Sequence, residues 1–166
     1  MQNIIRVFYK EEYKVDFKEY VSILKRKTEY KKNVMFVCIG TSDILWDSVG
    51  PLVGTYLKNK IGNKIVIGDM DKNICNYKDL SKHSMKLKNK FIVAIDVALS
   101  NELQNDIYIT NNPISMGKAF NKSKGEIGDL AIKAGISNWR DITFSDVKYI
   151  AKFIADGILL QNLNFC

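Results

Sequence analysis

FVCIGTSDILWDSVGPLVGT, residues 36–55, decides how this 166-residue chain folds. It opens inside a continuous apolar run, VMFVCIG (34–40), of the kind that fills the centre of a sheet covered on both faces. A short polar loop then delivers Asp47 to the start of an amphipathic helix, whose apolar side is Val49, Leu52, Val53, Tyr56 and Leu57. Asp47 or Ser48 can cap that helix. Pro51 is tolerated because the first helical turn has no internal N–H bonds to lose. Gly50 and Gly54, four residues apart, predict close packing of the helix on the sheet.

Outward from this segment, strand and helix patterns alternate. KIVIGDM (64–70), FIVAIDVAL (91–99), DIYIT (106–110) and DLAIKAG (129–135) read as strands, and residues 3–9 as a short one. Asp16 caps a helix with Glu19 at the capping-box position, followed by the stripe Phe17, Tyr20, Val21 and Leu24. A helix is expected over residues 73–88. Thr143 and Asp146 form a second capping box, which opens a helix carrying Val147, Ile150, Ala151, Ile154 and Ile158. NNPISMGKAFNKSKGEIG (111–128) has no clear period and reads as a long loop, a feature that in compact domains is often functional. The alternation predicts one α/β domain over residues 1–166, with a strand-and-helix extension (1–33) and a core (34–166). In such open sheets ligands bind beyond the carboxyl ends of the strands, where Asp47 and Asp96 both fall.

Composition narrows the function classes. The apolar fraction of 46% is ordinary for a globular domain, and no run reaches the roughly 18 apolar residues of a membrane span. The N-terminal stretch turns charged too early for a secretory signal, so a cytoplasmic protein with no membrane partner is expected. The net charge of +7 comes from scattered lysines with no nucleic-acid motif, so no specific nucleic-acid partner is expected. Cys38, Cys75 and Cys166 make no C-x-x-C pair, and Cys38 inside a strand reads as a buried thiol. His83 is the one histidine, which excludes a multi-histidine zinc site, and its spacing with Leu80 and Leu87 places it half-buried on a helix. No G-x-S-x-G elbow, G-x-G-x-x-G fingerprint or G-K-[ST] loop is present.

Asp47 and Asp96 are the residues with chemistry to offer. Burial raises a carboxyl pKa and a second carboxylate raises it further, so two such acids can share a proton. One then acts as a base toward water and the other as an acid toward a carbonyl. The same pair could instead hold a divalent metal. The plainer reading is structural: Asp47 caps a helix and Asp96 a turn. Asp43 and Asp129 can join a carboxylate cluster as auxiliaries, and Asp43 reads more simply as a solvated loop residue. Asp69 and Asp71 read as turn residues. Lys118, in the long loop, can neutralise a charged site or bind a substrate carboxylate.

C-I-G-T, a loop ending in Asp47 and then S-V-G-P-L-V-G-T, with Ile95–Asp96 and G-K…G-E-I-G-D-L-A-I (117–132), resembles the YyaC-type spore protein family of endospore-forming bacteria over residues 34–133. That family is similar to the germination protease, which degrades small acid-soluble spore proteins, and more distantly to hydrogenase maturation endopeptidases. The resemblance implies a three-layer α/β/α sandwich of phosphorylase/hydrolase-like type with a mostly parallel or mixed central sheet. Asp47 and Asp96 match the catalytic pair of the germination protease. In the hydrogenase proteases the corresponding acids bind nickel together with a later histidine. This chain has no histidine after residue 83, so an aspartate-only mechanism without a cofactor fits better and a metal at Asp47 and Asp96 is disfavoured. Trp46 stands where relatives often have a small residue, as a hydrophobic wall for peptide or a packed loop anchor.

The expected function is that of a sporulation-associated endopeptidase in the cytoplasm of the mother cell or forespore, hydrolysing peptide bonds with Asp47 and Asp96. Its expected partner is a protein or peptide substrate, small acid-soluble spore proteins among them. The alternatives are a catalytically silent binding or regulatory module on the same fold and a metal-dependent hydrolase.

Overall fold

The computed structural model of the protein describes residues 5–9, 13–76, 78–99, 106–115 and 125–161. The apolar run at its centre becomes β3 (Val34–Cys38), with every residue buried. Around it lie β1 (Val7–Tyr9), β2 (Tyr13–Val15), β4 (Val66–Ile67), β5 (Phe91–Leu99), β6 (Asp106–Thr110) and β9 (Leu130–Ile136). These form a seven-stranded sheet in the order β2-β1-β6-β9-β5-β3-β4. β4, β3, β5 and β9 run parallel, β6 runs antiparallel to β9, β1 is parallel to β6, and β2 is antiparallel to β1. The sheet is therefore mixed.

The period of two along β3 divides the interior. Val34, Phe36 and Cys38 face the larger core, which is closed by α1 (Phe17–Thr28), α2 (Val49–Ile61) and α4 (Phe144–Gln161). Met35 and Val37 face a smaller core on the other side. Its cover is thinner: Cys75, Leu80 and Leu87 around α3 (Ser84–Leu87), and the two-stranded ribbon of β7 (Ile114–Ser115) and β8 (Glu126–Ile127). Three layers result, as expected, with the three long helices all on one face. Among the described residues no helix is long and apolar enough to cross a membrane.

Both capping boxes form. Asp16 Oδ1 accepts the N–H of Glu19 at 2.7 Å. Thr143 and Asp146 cap reciprocally, the Thr143 hydroxyl accepting the Asp146 N–H at 3.2 Å and Asp146 Oδ2 accepting the Thr143 N–H at 2.9 Å. Val147, Ile150, Ala151, Ile154 and Ile158 are buried beneath this cap. The segment before residue 34 is built into the same sheet and core: β1 pairs with β6, and Tyr20, Ile23 and Leu24 of α1 are fully buried.

Two expectations need correction. The helix predicted over 73–88 shrinks to a 3₁₀ turn, Leu80–His83, continued by α3. Cys75 is drawn out of helical geometry by a parallel bridge to Ile39, and Asp69 ties the N–H groups of Asp71, Lys72 and Asn73 into a turn. The loop predicted over 111–128 contains the β7–β8 ribbon, because Ile114 and Ile127 pair across it and cover the smaller core. Its middle, 116–124, lies outside the described residues, as do residues 3–4 of the first strand.

The connections place a crevice. From β3 the chain crosses one face as α2 to reach β4 at the sheet edge. It returns over the other face, through Leu80–Leu87, to β5 on the opposite side of β3. The carboxyl ends of β3 and β5 thus flank the point where strand order reverses, the position at which open α/β sheets bind ligands.

Candidate active site

Asp47 lies in a single 3₁₀ turn, Trp46–Ser48, that leads into α2. Neither Asp47 nor Ser48 gives the helix a side-chain cap. The Ser48 hydroxyl donates to the carbonyl of Leu45 at 2.6 Å, and the helix has no side-chain capping bond. The Asp47 carboxylate turns back instead, its Oδ2 accepting the N–H of Thr41 at 2.9 Å. Gly40 makes this return possible. Its φ is +142°, and a Cβ there would stand 2.0 Å from the carbonyl oxygen of Asp47. Its N–H donates to the carbonyl of Cys75 at 3.0 Å, which fixes the loop against the opposite layer.

Asp96 lies within β5 rather than beyond it. β3 and β5 stay paired as far as Cys38 and Ile95, and the N–H of Ile39 closes the ladder on the carbonyl of Ile95 at 2.8 Å. There β3 leaves the sheet for the Asp47 loop. β5 continues against β9 alone, from Asp96 opposite Lys133 to Leu99 opposite Ile136. The strand therefore carries Asp96 one residue past the end of its neighbour, into the crevice. Ile95 points to the larger core, so Asp96 projects from the other face.

The 3₁₀ turn of Asp47 adjoins β5, and the two carboxyl groups feel each other. Burial pushes Asp47 up to about 6, against the opposing effect of the Thr41 N–H. Burial also pushes Asp96 up to about 7; the N–H of its neighbour Val97 offsets part of this, the charge of Asp47 adds to it, and Lys133 opposes it. An acid and a base with midpoints this close to neutrality can exchange roles in proton transfer at physiological pH.

The remaining sequence candidates disperse. Asp129 accepts the N–H of Ile92 on its Oδ2 at 2.7 Å, and its own N–H donates to the Ile92 carbonyl at 2.8 Å. It therefore sits at the amino end of β5, about four residues or ~13 Å along the strand from Asp96, and does not join the pair. Asp43 is exposed, its N–H bonded to the Thr41 hydroxyl at 3.3 Å. Trp46 packs on the larger core and against Trp139, edge to face with centroids 6.4 Å apart, which makes it an anchor for the loop. Lys118 lies outside the described residues. His83 is half-buried in its 3₁₀ turn, and Cys38 and Cys75 are fully buried, with burial raising both thiols. Among the described residues no three His, Cys, Asp or Glu side chains gather to hold a metal ion. Two carboxylates without a histidine do not fit the donor set of a nickel site.

Sequence reading missed Lys133. Within β9 (LAIKAGI) it is the one residue not buried, and it faces Asp96 across the strand pair. The signal was a lone cation inside an otherwise apolar strand.

A crystal structure of the NiFe hydrogenase maturation protease HycI from Thermococcus kodakarensis KOD1 is similar over 82% of this chain and 99% of its own, with 15% identity and a TM-score of 0.49. The protein YyaC of Bacillus subtilis (strain 168) is 36% identical over 112 residues, which are 64% of this chain; the match spans 54%, about half, of that relative's length. The model of the family described as "Protein of unknown function (DUF1256)" matches residues 7–154, and the chain belongs to this family.

Proposed function

We propose that the protein is a peptide-bond hydrolase, an endopeptidase of germination-protease type, in which Asp47 and Asp96 work as a pair. The observation that carries this reading is the placement of both carboxyls in the crevice where β3 ends and β5 continues. Neither acid caps a helix: Asp47 Oδ2 accepts the N–H of Thr41 in the loop, and Asp96 accepts only the adjacent Val97 N–H at 2.8 Å among the described residues.

In the first step the ionised carboxylate of the pair takes a proton from water as the water oxygen bonds to the peptide carbonyl carbon. The protonated carboxyl gives its proton to the carbonyl oxygen, leaving a neutral gem-diol. In the second step one hydroxyl proton returns to the ionised carboxylate, and the other carboxyl protonates the amide nitrogen as the C–N bond breaks. A carboxylic acid and an amine leave, and the pair has its single shared proton again.

The sporulating cell is the proposed setting, and small acid-soluble spore proteins are the first substrates to try. The test is a cleavage assay on these proteins and on a diverse peptide library, with Asp47→Asn and Asp96→Asn as controls, with and without chelator. Cleavage that both substitutions abolish and EDTA leaves intact supports the reading. Chelator-sensitive cleavage points to a metal enzyme. A folded protein that cleaves nothing returns the protein to the class of binding modules.

A further inference from the structure

We infer that Lys133 is a third member of the site, a fixed positive charge that polarises the substrate carbonyl oxygen as water attacks it. The inference rests on the hydrolase reading and deepens it.

Its basis is register. Lys133 is the Cα partner of Asp96 on the neighbouring parallel strand, so the two side chains leave the same face of the sheet side by side. Their neighbours on that face are small. Ala94 and Ala98 flank Asp96 along β5, and Ala131 and Gly135 flank Lys133 along β9. The acid and the lysine thus rise from a low floor between β5 and β9, with Tyr108 of β6, the other Cα partner of Lys133, standing on its far side. A lysine has a four-carbon stem where aspartate has one methylene, long enough to bring its ammonium to the Asp96 carboxyl, and its charge is felt there.

The cation is also uncommitted. Among the other half-buried cations Lys58 pairs with Asp69 at 2.6 Å and Arg6 with Asp106 at 2.8 Å, whereas Lys90, at the amino end of β5, makes no ion pair among the described residues. Lys133 makes no ion pair or hydrogen bond among the described residues, although Asp96 stands beside it. Lys133 is the one residue of β9 that is not buried, and register sets it beside the acid. Negative charge grows on the carbonyl oxygen before the carboxyl proton arrives, and a preorganised ammonium is most effective at that moment.

The groups that face Asp96 are Asp47 from the 3₁₀ turn, Lys133 from β9 and Cys75 from the segment before α3. The test uses the full chain with Lys133→Met and Lys133→Arg. NMR of the carboxyl carbons follows the titration of Asp96, and steady-state kinetics follow cleavage of one peptide. The expected result for Lys133→Met is a higher Asp96 midpoint and a kcat lower by about 10²-fold with KM little changed, the usual loss for a missing oxyanion donor. Lys133→Arg should restore both in part. An Asp96 titration that does not move shows that the ammonium does not face the pair, and overturns the inference whatever the kinetics. A moved titration with unchanged kcat also overturns it, while leaving the aspartate pair standing. A wild-type protein that cleaves nothing overturns the hydrolase reading itself, and this inference with it.

Discussion

Asp47 helps to hold the proton on Asp96. The loop that leaves β3 sets one carboxyl against the strand that carries the other, and after burial the charge of Asp47 is what raises Asp96. Asp47→Asn removes that charge, so the Asp96 midpoint should fall from about 7 toward its ordinary range. A carboxyl NMR titration of the variant reads this directly. In wild type, kcat/KM should peak in a narrow bell between the two apparent midpoints, near 6 and 7, which belong to the pair rather than to either residue. A rate flat from pH 5 to 9 would contradict paired acid–base work.

The raised midpoints also have a consequence for stability. Both acids are raised in the folded state from an ordinary value of 3.8, so the folded protein binds more protons than the unfolded chain between about 4 and 7. Stability should therefore fall as pH rises through that window and level off above it. Asp96→Asn removes one of the two penalties. Each tenfold change in proton affinity between the folded and unfolded states is worth ~1.4 kcal/mol, and a half-buried site is partly screened by solvent. At pH 8 the variant should therefore be more stable than wild type by about 1–3 kcal/mol. At pH 4 the two should converge. Urea denaturation at both pH values checks the sign.

Asp69 behaves in the opposite way. Burial alone would raise it, but the Lys58 ammonium and the N–H groups of Asn73 and Asp71 outweigh burial and hold it well below the usual carboxylate range. Its contribution is present above the ordinary carboxyl midpoint and is lost as pH falls below it. Lys58→Met leaves the carboxylate largely buried without its cation, and should cost about 3 kcal/mol at pH 7. The variant should also lose less stability than wild type between pH 4 and 2. Acid melts of the two proteins provide the comparison.

Gly50 tests how tightly α2 seats the site. A Cβ at this position would meet the carbonyl oxygen of Ile39 at 2.0 Å, and one at Gly54 would meet that of Gly68 at 1.9 Å. Backbone cannot yield as a side-chain tip can, so Gly50→Ala should lift the start of α2 and cost about 1–3 kcal/mol. Because α2 follows Asp47 directly, cleavage should fall by more than the unfolded fraction explains. Gly62→Ala, with open space around its Cβ but a φ of +82°, is a backbone-strain control far from the crevice. Activity per folded molecule, measured in both variants, separates the two effects.

How much of this was legible depended on whether a signal was local. The caps at Asp16 and Thr143 and the strands at 34–38, 91–99 and 106–110 are written in neighbouring residues, and they appear where the patterns put them. Asp47 and Asp96 drew attention because one ends the loop that follows an apolar run and the other ends an apolar run directly. The positions of Cys75 and of Ile114 depend on partners far away in sequence, Ile39 and Ile127, so a helix and a loop were read where a bridge and a ribbon form. Asp129 stood as an auxiliary candidate for the carboxylate cluster until strand direction placed it at the other end of β5. Lys133 stayed hidden because its meaning comes from register against β5, which no local period encodes.

The place of β9 in the sheet bears on how the molecule is made. It is the last strand in sequence, yet it lies between β5 and β6 in the middle of the sheet, bonded to both. During synthesis the half of the sheet containing β3, β4 and β5 and the half containing β1, β2 and β6 emerge without the piece that joins them. Neither the sheet nor the pairing of Lys133 with Asp96 is complete until residue 136 has left the ribosome. A nascent chain thus carries both aspartates for some time without the cation beside them, and the crevice is assembled only when the central strand closes the gap.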